Sequence, residues 1–262
     1  MIFFVCFALL GSASIRPAKA DANAALLEVA AELFDANIYD AVASYWNWMA
    51  LYADGYVTYR YYAYLYADEA LDSMEDALVS APAGTDVQSA AYTAYYYAYN
   101  RYLASEYYYV YGDPAYADLA NQYDYWGDTY RAHTGLYTTI AINGDFYGIA
   151  SKLFEADIYD AAASYYNWIA LYSGGHETYR YYAYLHATQT YNATANAFRS
   201  APDYTYMQYE AYYAYLNAYY RYVHAAYYYA YGNPANAELV NYYDYWGDYR
   251  RAYAEWYAAN LM

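Results

Sequence analysis

Eight polar positions recur in register along this chain, and they are the ones equipped for acid–base or ion chemistry. Asp40, Asn47, Arg60, Arg101, Asn121, Asp124, Asp128 and Arg131 return 120 residues later as Asp160, Asn167, Arg180, Arg221, Asn241, Asp244, Asp248 and Arg251. Gathered inside a bundle, such a set could act as acid, base and anion clamp. Paired between helices, it would form salt bridges and satisfy tyrosine hydroxyls, each of which costs about 1–3 kcal/mol if buried without a partner. The pairing reading is preferred. Asp124 and Asp128 are four apart and share a helical face that excludes Trp126. Two carboxylates so placed bind a hard cation only weakly, because calcium takes about six or more oxygens.

Other chemistry is thinly represented. The four histidines, His133, His176, His186 and His224, stand opposite Tyr253, Tyr56, Tyr66 and Ala104 in the other copy, so none is duplicated. None has a glutamate three residues before it, and the metal signature of four-helix bundles is therefore missing. There is no nucleophile elbow, phosphate loop, dinucleotide fingerprint or His-Glu-x-x-His. No cofactor is expected, and the balance leans away from an enzyme. The candidate binding residues are Tyr59, Arg60, Tyr62, Arg101, Asp124, Trp126 and Asp128. Their counterparts are Tyr179, Arg180, Tyr182, Arg221, Asp244, Trp246 and Asp248.

These residues must be held by regular elements, and the repeat says which. Tyr59-Arg60-Tyr61-Tyr62-Ala63-Tyr64-Leu65 returns as Tyr179-Arg180-Tyr181-Tyr182-Ala183-Tyr184-Leu185 without net insertion. One unit has been duplicated. Turn signals divide each copy into four segments: Asp54-Gly55 and Gly174-Gly175, Ala81-Pro82 and Ala201-Pro202, Gly112-Asp113-Pro114 and Gly232-Asn233-Pro234. Gly112 and Gly232 suit a helix C-terminus, and Pro114 and Pro234 the next helix's first turn.

The segments are too long for strands, and alanine favours helix. Apolar residues also step by three or four. Leu27, Ala30, Phe34, Ile38, Ala41, Tyr45, Trp48 and Leu51 form the first stripe, and Leu119, Tyr123, Trp126 and Tyr130 the fourth. The expected fold is all-α, a tandem duplication of a four-helix antiparallel unit with about eight helices. Unit 1 is expected over 21–134, a linker over 135–148 and unit 2 over 149–262. A continuous eight-helix solenoid is the alternative.

Residues 2–10 form a short apolar run, and Ala18-Lys19-Ala20 supplies a cleavage pattern, so residues 1–20 read as a signal peptide and the protein as secreted or periplasmic. Cys6, the only cysteine, would leave with it, which excludes disulfides and thiolate metal sites in the mature chain. The net charge of −17 repels phosphate backbones, so nucleic acid is not an expected partner. No segment is apolar enough to span a membrane.

Fifty-three tyrosines remain to be explained. They suit a structural or interaction protein of an envelope or extracellular matrix, which would bind itself or an envelope polymer through an aromatic surface. The alternatives are an aromatic cleft for a small molecule or carbohydrate, a tyrosine-based redox or cross-linking protein, and weak cation binding by the acidic field.

Overall fold

The computed structural model describes residues 19–53, 55–142 and 144–260. Most of the expected signal peptide lies outside them; only Lys19 and Ala20 fall inside, opening the first helix. Copy 1 consists of α1 (Lys19–Tyr52), α2 (Val57–Ser80), α3 (Asp86–Tyr111) and α4 (Pro114–Ile142). Copy 2 consists of α5 (Tyr147–Tyr172), α6 (Glu177–Ser200), α7 (Tyr206–Tyr231) and α8 (Pro234–Asn260). The chain is all-α among the described residues, with eight α-helices and one 3₁₀ turn, Gly144–Phe146.

Much of the expected linker 135–148 is helix. α4 runs through Gly135 to Ile142, and α5 begins at Tyr147. A helical glycine costs only about 1 kcal/mol relative to alanine, and the buried Thr134, Thr138 and Thr139 hold this end of α4 in place.

Within each copy, successive helices pack antiparallel, and α1 meets α4 as α5 meets α8. The copies then join through these same four helices: α1 packs on α8, and α4 on α5. An open solenoid would not bring its first and last helices together. The contacts are reciprocal. Tyr45 meets Tyr245 at 5.5 Å between ring centres, and Tyr125 meets Tyr165 at 5.3 Å. Phe34 meets Tyr253, and His133 meets Phe154. Each contact is the other's image under exchange of the copies, so the seam carries an approximate two-fold axis.

α1 therefore has two buried faces. The one toward its own bundle is Leu26, Val29, Leu33, Ala36, Asp40, Ala43, Asn47 and Ala50, alternating steps of three and four. The stripe expected from sequence lies beside it, and its Phe34, Ala41, Tyr45 and Trp48 face the other copy. In α4 the expected stripe is right only in part: Tyr130 packs against the core, but the rest of the line does not hold. Leu119 and Trp126 are exposed. The buried face is Ala117, Ala120, Gly127, Arg131, Thr134 and Thr138, small or polar residues that hydrophobicity alone would place outside.

The core is mainly alanine, with tyrosine rings closing over it. Tyr108 and its counterpart Tyr228 are deeply buried, whereas half-buried Tyr64 stacks on Tyr109 and meets Tyr102 at a tilt. Thr85 and Thr205 cap α3 and α7 by accepting from Gln88 and Gln208. Gly112 and Gly232 end those helices in left-handed conformation, with φ of 69° and 66°.

An added Cβ at Gly112 would also lie 2.6 Å from Arg60 Nη1, and at Gly232 2.8 Å from Arg180 Nη1. Gly112→Ala is expected to destabilise the fold by at least about 1–2 kcal/mol, with Gly84→Ala, which meets no neighbour, less damaging. Urea denaturation of the two variants checks this; equal losses would show that the arginine contact is immaterial.

Candidate functional site

The duplicated aspartates and arginines converge at the seam. In copy 1, α1 supplies Asp40 and Ser44, α3 supplies Arg101, and α4 supplies Asp124, Asp128 and Arg131. Arg101 pairs with Asp40 and, at 2.8 Å, with Asp124. Arg131 pairs with Asp40 and Asp128. Ser44 donates to Asp124 at 2.7 Å and accepts from Arg101 at 2.8 Å. Copy 2 repeats the pattern. Arg221 pairs with Asp160 and Asp244, and Arg251 pairs with Asp160 and Asp248. Asn47 donates to Asn121, and Asn167 to Asn241, at the next turn.

Local sequence explains the arrangement. Asp124, Gly127, Asp128 and Arg131 follow a three-and-four step along α4, so they share its inner face. Gly127 leaves room there for Arg131, which folds back over it. A Cβ at Gly127 would stand 3.2 Å from Arg131 Nη1, and Gly247 repeats the relation at 3.3 Å with Arg251.

The two copies are not identical at the seam. Arg131 Nε donates to Asn37, whereas Arg251 Nε donates to Asp157 at 2.7 Å. Glu255 occupies the position of Gly135 and accepts from Asn37 across the seam. Copy 2 thus adds two carboxylates, and the seam holds eight with four guanidinium groups: Asp40, Asp124, Asp128, Asp157, Asp160, Asp244, Asp248 and Glu255 against Arg101, Arg131, Arg221 and Arg251.

Protons meet part of this surplus. Burial, reinforced by the charge of Asp124, pushes Asp128 up to about 7 despite Arg131 and Arg101. Burial raises Asp244 well above the usual carboxylate range against the pull of Arg221. Burial raises Asp248 and Glu255 likewise, with Asp244 adding to the first and Asp157 to the second. Asp160 goes the other way: burial would raise it, but Arg221 and Arg251 outweigh burial and hold it low. The carboxylate oxygens of Asp40, Asp124 and Asp128 lie within 4.8 Å of one another, as do those of Asp160, Asp244 and Asp248. The guanidinium groups already lie among these carboxylates as their counter-ions, so a metal ion would have to compete with them. Two cavities of ≈ 60 and ≈ 40 Å³ lie along the seam. They have room for a few water molecules, whereas ligand pockets run to about 300–1,000 Å³.

Arg101, Asp124 and Asp128, with Arg221, Asp244 and Asp248, are thus brought together as candidate binding residues, and the geometry is that of an internal ion-pair array. The other candidates lie elsewhere. Arg60 donates to the carbonyls of Tyr108 and Tyr109 at 2.8 and 3.0 Å, closing the end of α3, and Arg180 does the same for α7. Tyr59 and Tyr62 pack on Trp46, Tyr182 packs on Tyr166, and Tyr179 lies beside His176. Trp126 stacks on Tyr97 at the surface, and Trp246 contacts Tyr242 and Tyr245. Asp40, Ser44 and Arg131 were missing from the candidates, although register conservation of Asp40 and Arg131 between the copies marked them. The expectation that this set would satisfy tyrosine hydroxyls is corrected too. The arginines and aspartates bond mainly to one another, while hydroxyls meet hydroxyls, as in Tyr249 and Tyr253 at 3.3 Å.

A carboxyl with a raised folded pKa holds its proton more tightly folded than unfolded, so stability is lost as pH rises from the unfolded value through the folded one. For Asp128 that window runs from about pH 4 to about pH 7. Asp160 contributes oppositely, but only under more acid conditions. Unfolding free energy is therefore expected to be lower at pH 8 than at pH 5. Asp128→Asn, which keeps an acceptor for Arg131, should stabilise the protein at pH 8 by about 1 kcal/mol and flatten the slope. Urea titrations at both pH values measure this; a variant weaker than the parent at pH 8 contradicts it.

Compared with protein-family models, curated proteins and solved structures, the chain matches none.

Proposed function

We propose that this chain is a structural or interaction protein that works through tyrosine-covered flanks, by self-association or by holding an envelope or matrix polymer outside the cytoplasm. One observation carries the reading: the exposed tyrosines concentrate on the helices that do not build the seam. α2 and α3 carry Tyr61, Tyr62, Tyr92, Tyr96, Tyr99, Tyr107 and Tyr111, and α6 and α7 carry Tyr181, Tyr182, Tyr209, Tyr212, Tyr219, Tyr220, Tyr227 and Tyr231. Large exposed apolar patches mark interaction sites, and tyrosine binds with few rotors to freeze. The duplication makes the molecule bivalent, which raises avidity for a repeating partner. The small seam cavities argue against an internal cleft for a small molecule. No described helix is long and apolar enough to cross a membrane.

A second reading, oxidative cross-linking, is favoured by the ring network. From Tyr45 the contacts cross the seam to Tyr245 and Trp246, and from Tyr165 they cross back to Tyr125, Trp126 and Tyr97. In such chemistry a one-electron oxidant takes an electron and a proton from each of two phenols, whose radicals then couple.

Light scattering over a concentration series, and pelleting with insoluble polysaccharide, test the first reading. Mean mass should rise with concentration or the protein should pellet, and Tyr209→Gln with Tyr212→Gln, both exposed on α7, should reduce the effect at least threefold. A parent protein that stays monomeric and in the supernatant contradicts it. Dityrosine fluorescence and covalent dimers after peroxidase and hydrogen peroxide test the second.

A further inference from the structure

The two flanks share a backbone but differ at one turn. In copy 1 the α2–α3 turn presents Gly84, Asp86 and Ser89; in copy 2 the α6–α7 turn presents Tyr204, Tyr206 and Tyr209. Gly84 has φ of 74°, the left-handed region that glycine enters freely. Tyr204 holds φ of 61°, the one non-glycine residue there among the described residues. A bulky side chain in that region is strained. The strained residue is also fully exposed, at 102%, and Tyr206 beside it is 72% exposed. Backbone strain is thus accepted at a place where the ring gains no burial within the chain. Phe198, Tyr209 and Tyr212 extend the patch along an open apolar groove of ≈ 480 Å³.

Charge identifies the occupant. α2 carries Asp68, Glu69, Asp72, Glu75 and Asp76, and α3 opens with Asp86. Copy 2 replaces all six, by Thr188, Gln189, Asn192, Ala195, Asn196 and Tyr206, and gains Asp203 in the turn together with Arg199 at the end of α6, so the charge there is close to balanced. A cationic partner would be better served by the acidic flank. Neutralisation of one flank alone favours a partner that is itself acidic and aromatic. A second copy of this chain, with its net charge of −17, has both properties, and its own α6–α7 turn offers the least repulsion and the same rings. Two such turns meeting about a two-fold axis make a closed, self-complementary pair.

We propose that the protein dimerises through the Tyr204–Tyr206–Tyr209 patch at the α6–α7 turn, while the carboxylates of α2 keep the α2–α3 turn, at the same end of the bundle but on the other flank, out of the contact. This rests on the self-association reading above and adds the surface and the stoichiometry.

Sedimentation velocity of the full chain tests it. The first variant, Tyr204→Gly with Tyr206→Asp and Tyr209→Ser, installs the residues that copy 1 already carries in the same turn, and it relieves the strain at 204. The second, Tyr92→Gln with Tyr96→Gln, alters the other flank, near the α2–α3 turn. The expected result is a dimer for the parent and the second variant. The first variant should melt no lower than the parent and dissociate at least tenfold more readily. Added salt should leave the parent dimer intact or strengthen it, because screening lowers the repulsion between acidic molecules. A first variant that dimerises like the parent overturns the assigned surface but leaves self-association standing. Open-ended oligomers of the parent overturn the closed pair. A monomeric parent overturns the dimer, whether or not it binds added choline or oligosaccharide; if that monomer pellets with polysaccharide, the interaction reading survives on its polymer arm.

Discussion

The pairing of four buried guanidinium groups with a larger number of carboxylates is the constraint on which this structure turns. Arg101 and Arg221 are nearly inaccessible to solvent and reach from the third helix of each copy to aspartates on the first and fourth. With carboxylates in excess, losing one guanidinium strands its aspartates in a poorly solvated place, which costs about 3–5 kcal/mol. The array therefore fixes which helix faces inward and at what height, something a uniform alanine core cannot do. Alanine fits any register; a fork of donors aimed at Asp40 and Asp124 fits one.

That division of labour accounts for the composition. Small residues let the helices approach closely, and the ion pairs set their register. The tyrosines lie over the resulting grooves with their rings against methyl groups and their hydroxyls toward water or one another. Few of them are fully buried, so few compete for the aspartates and arginines. The flanks carry no such array, and many of their tyrosines stay exposed.

Much of this was legible beforehand because the chain is written twice. The register of 120 residues gave the helix count, the turns at Gly112 and Gly232, and the set of polar positions held in both copies. The inward face of α4 was not legible, because its buried line contains Gly127, Arg131 and Thr134, which look like surface residues to any rule based on apolarity. α1 misled in a subtler way: its most conspicuous stripe packs against the other copy, and its true bundle face, beginning at Leu26 and Val29, is partly masked by Asp40 and Asn47. Roles at the site divided along the same line. Most residues marked by repetition and charge converge at the seam, but Arg60, marked in the same way, closes a helix end, and Trp126 lies at the surface. Asp157 and Glu255 escaped notice because they are not duplicated.

The reciprocal contacts of Tyr45 with Tyr245 and of Tyr125 with Tyr165 carry a consequence for how such a chain can arise. A patch that fits its own image is what a single unit needs to form a homodimer. The seam has the geometry of two subunits later joined end to start by the few residues between α4 and α5. Once tethered, the halves find each other regardless of protein concentration, and a change on one side is no longer copied onto the other. Gene fusion of this kind releases the subunits from enforced identity, and Glu255 facing Gly135 is a difference that a true homodimer could never hold.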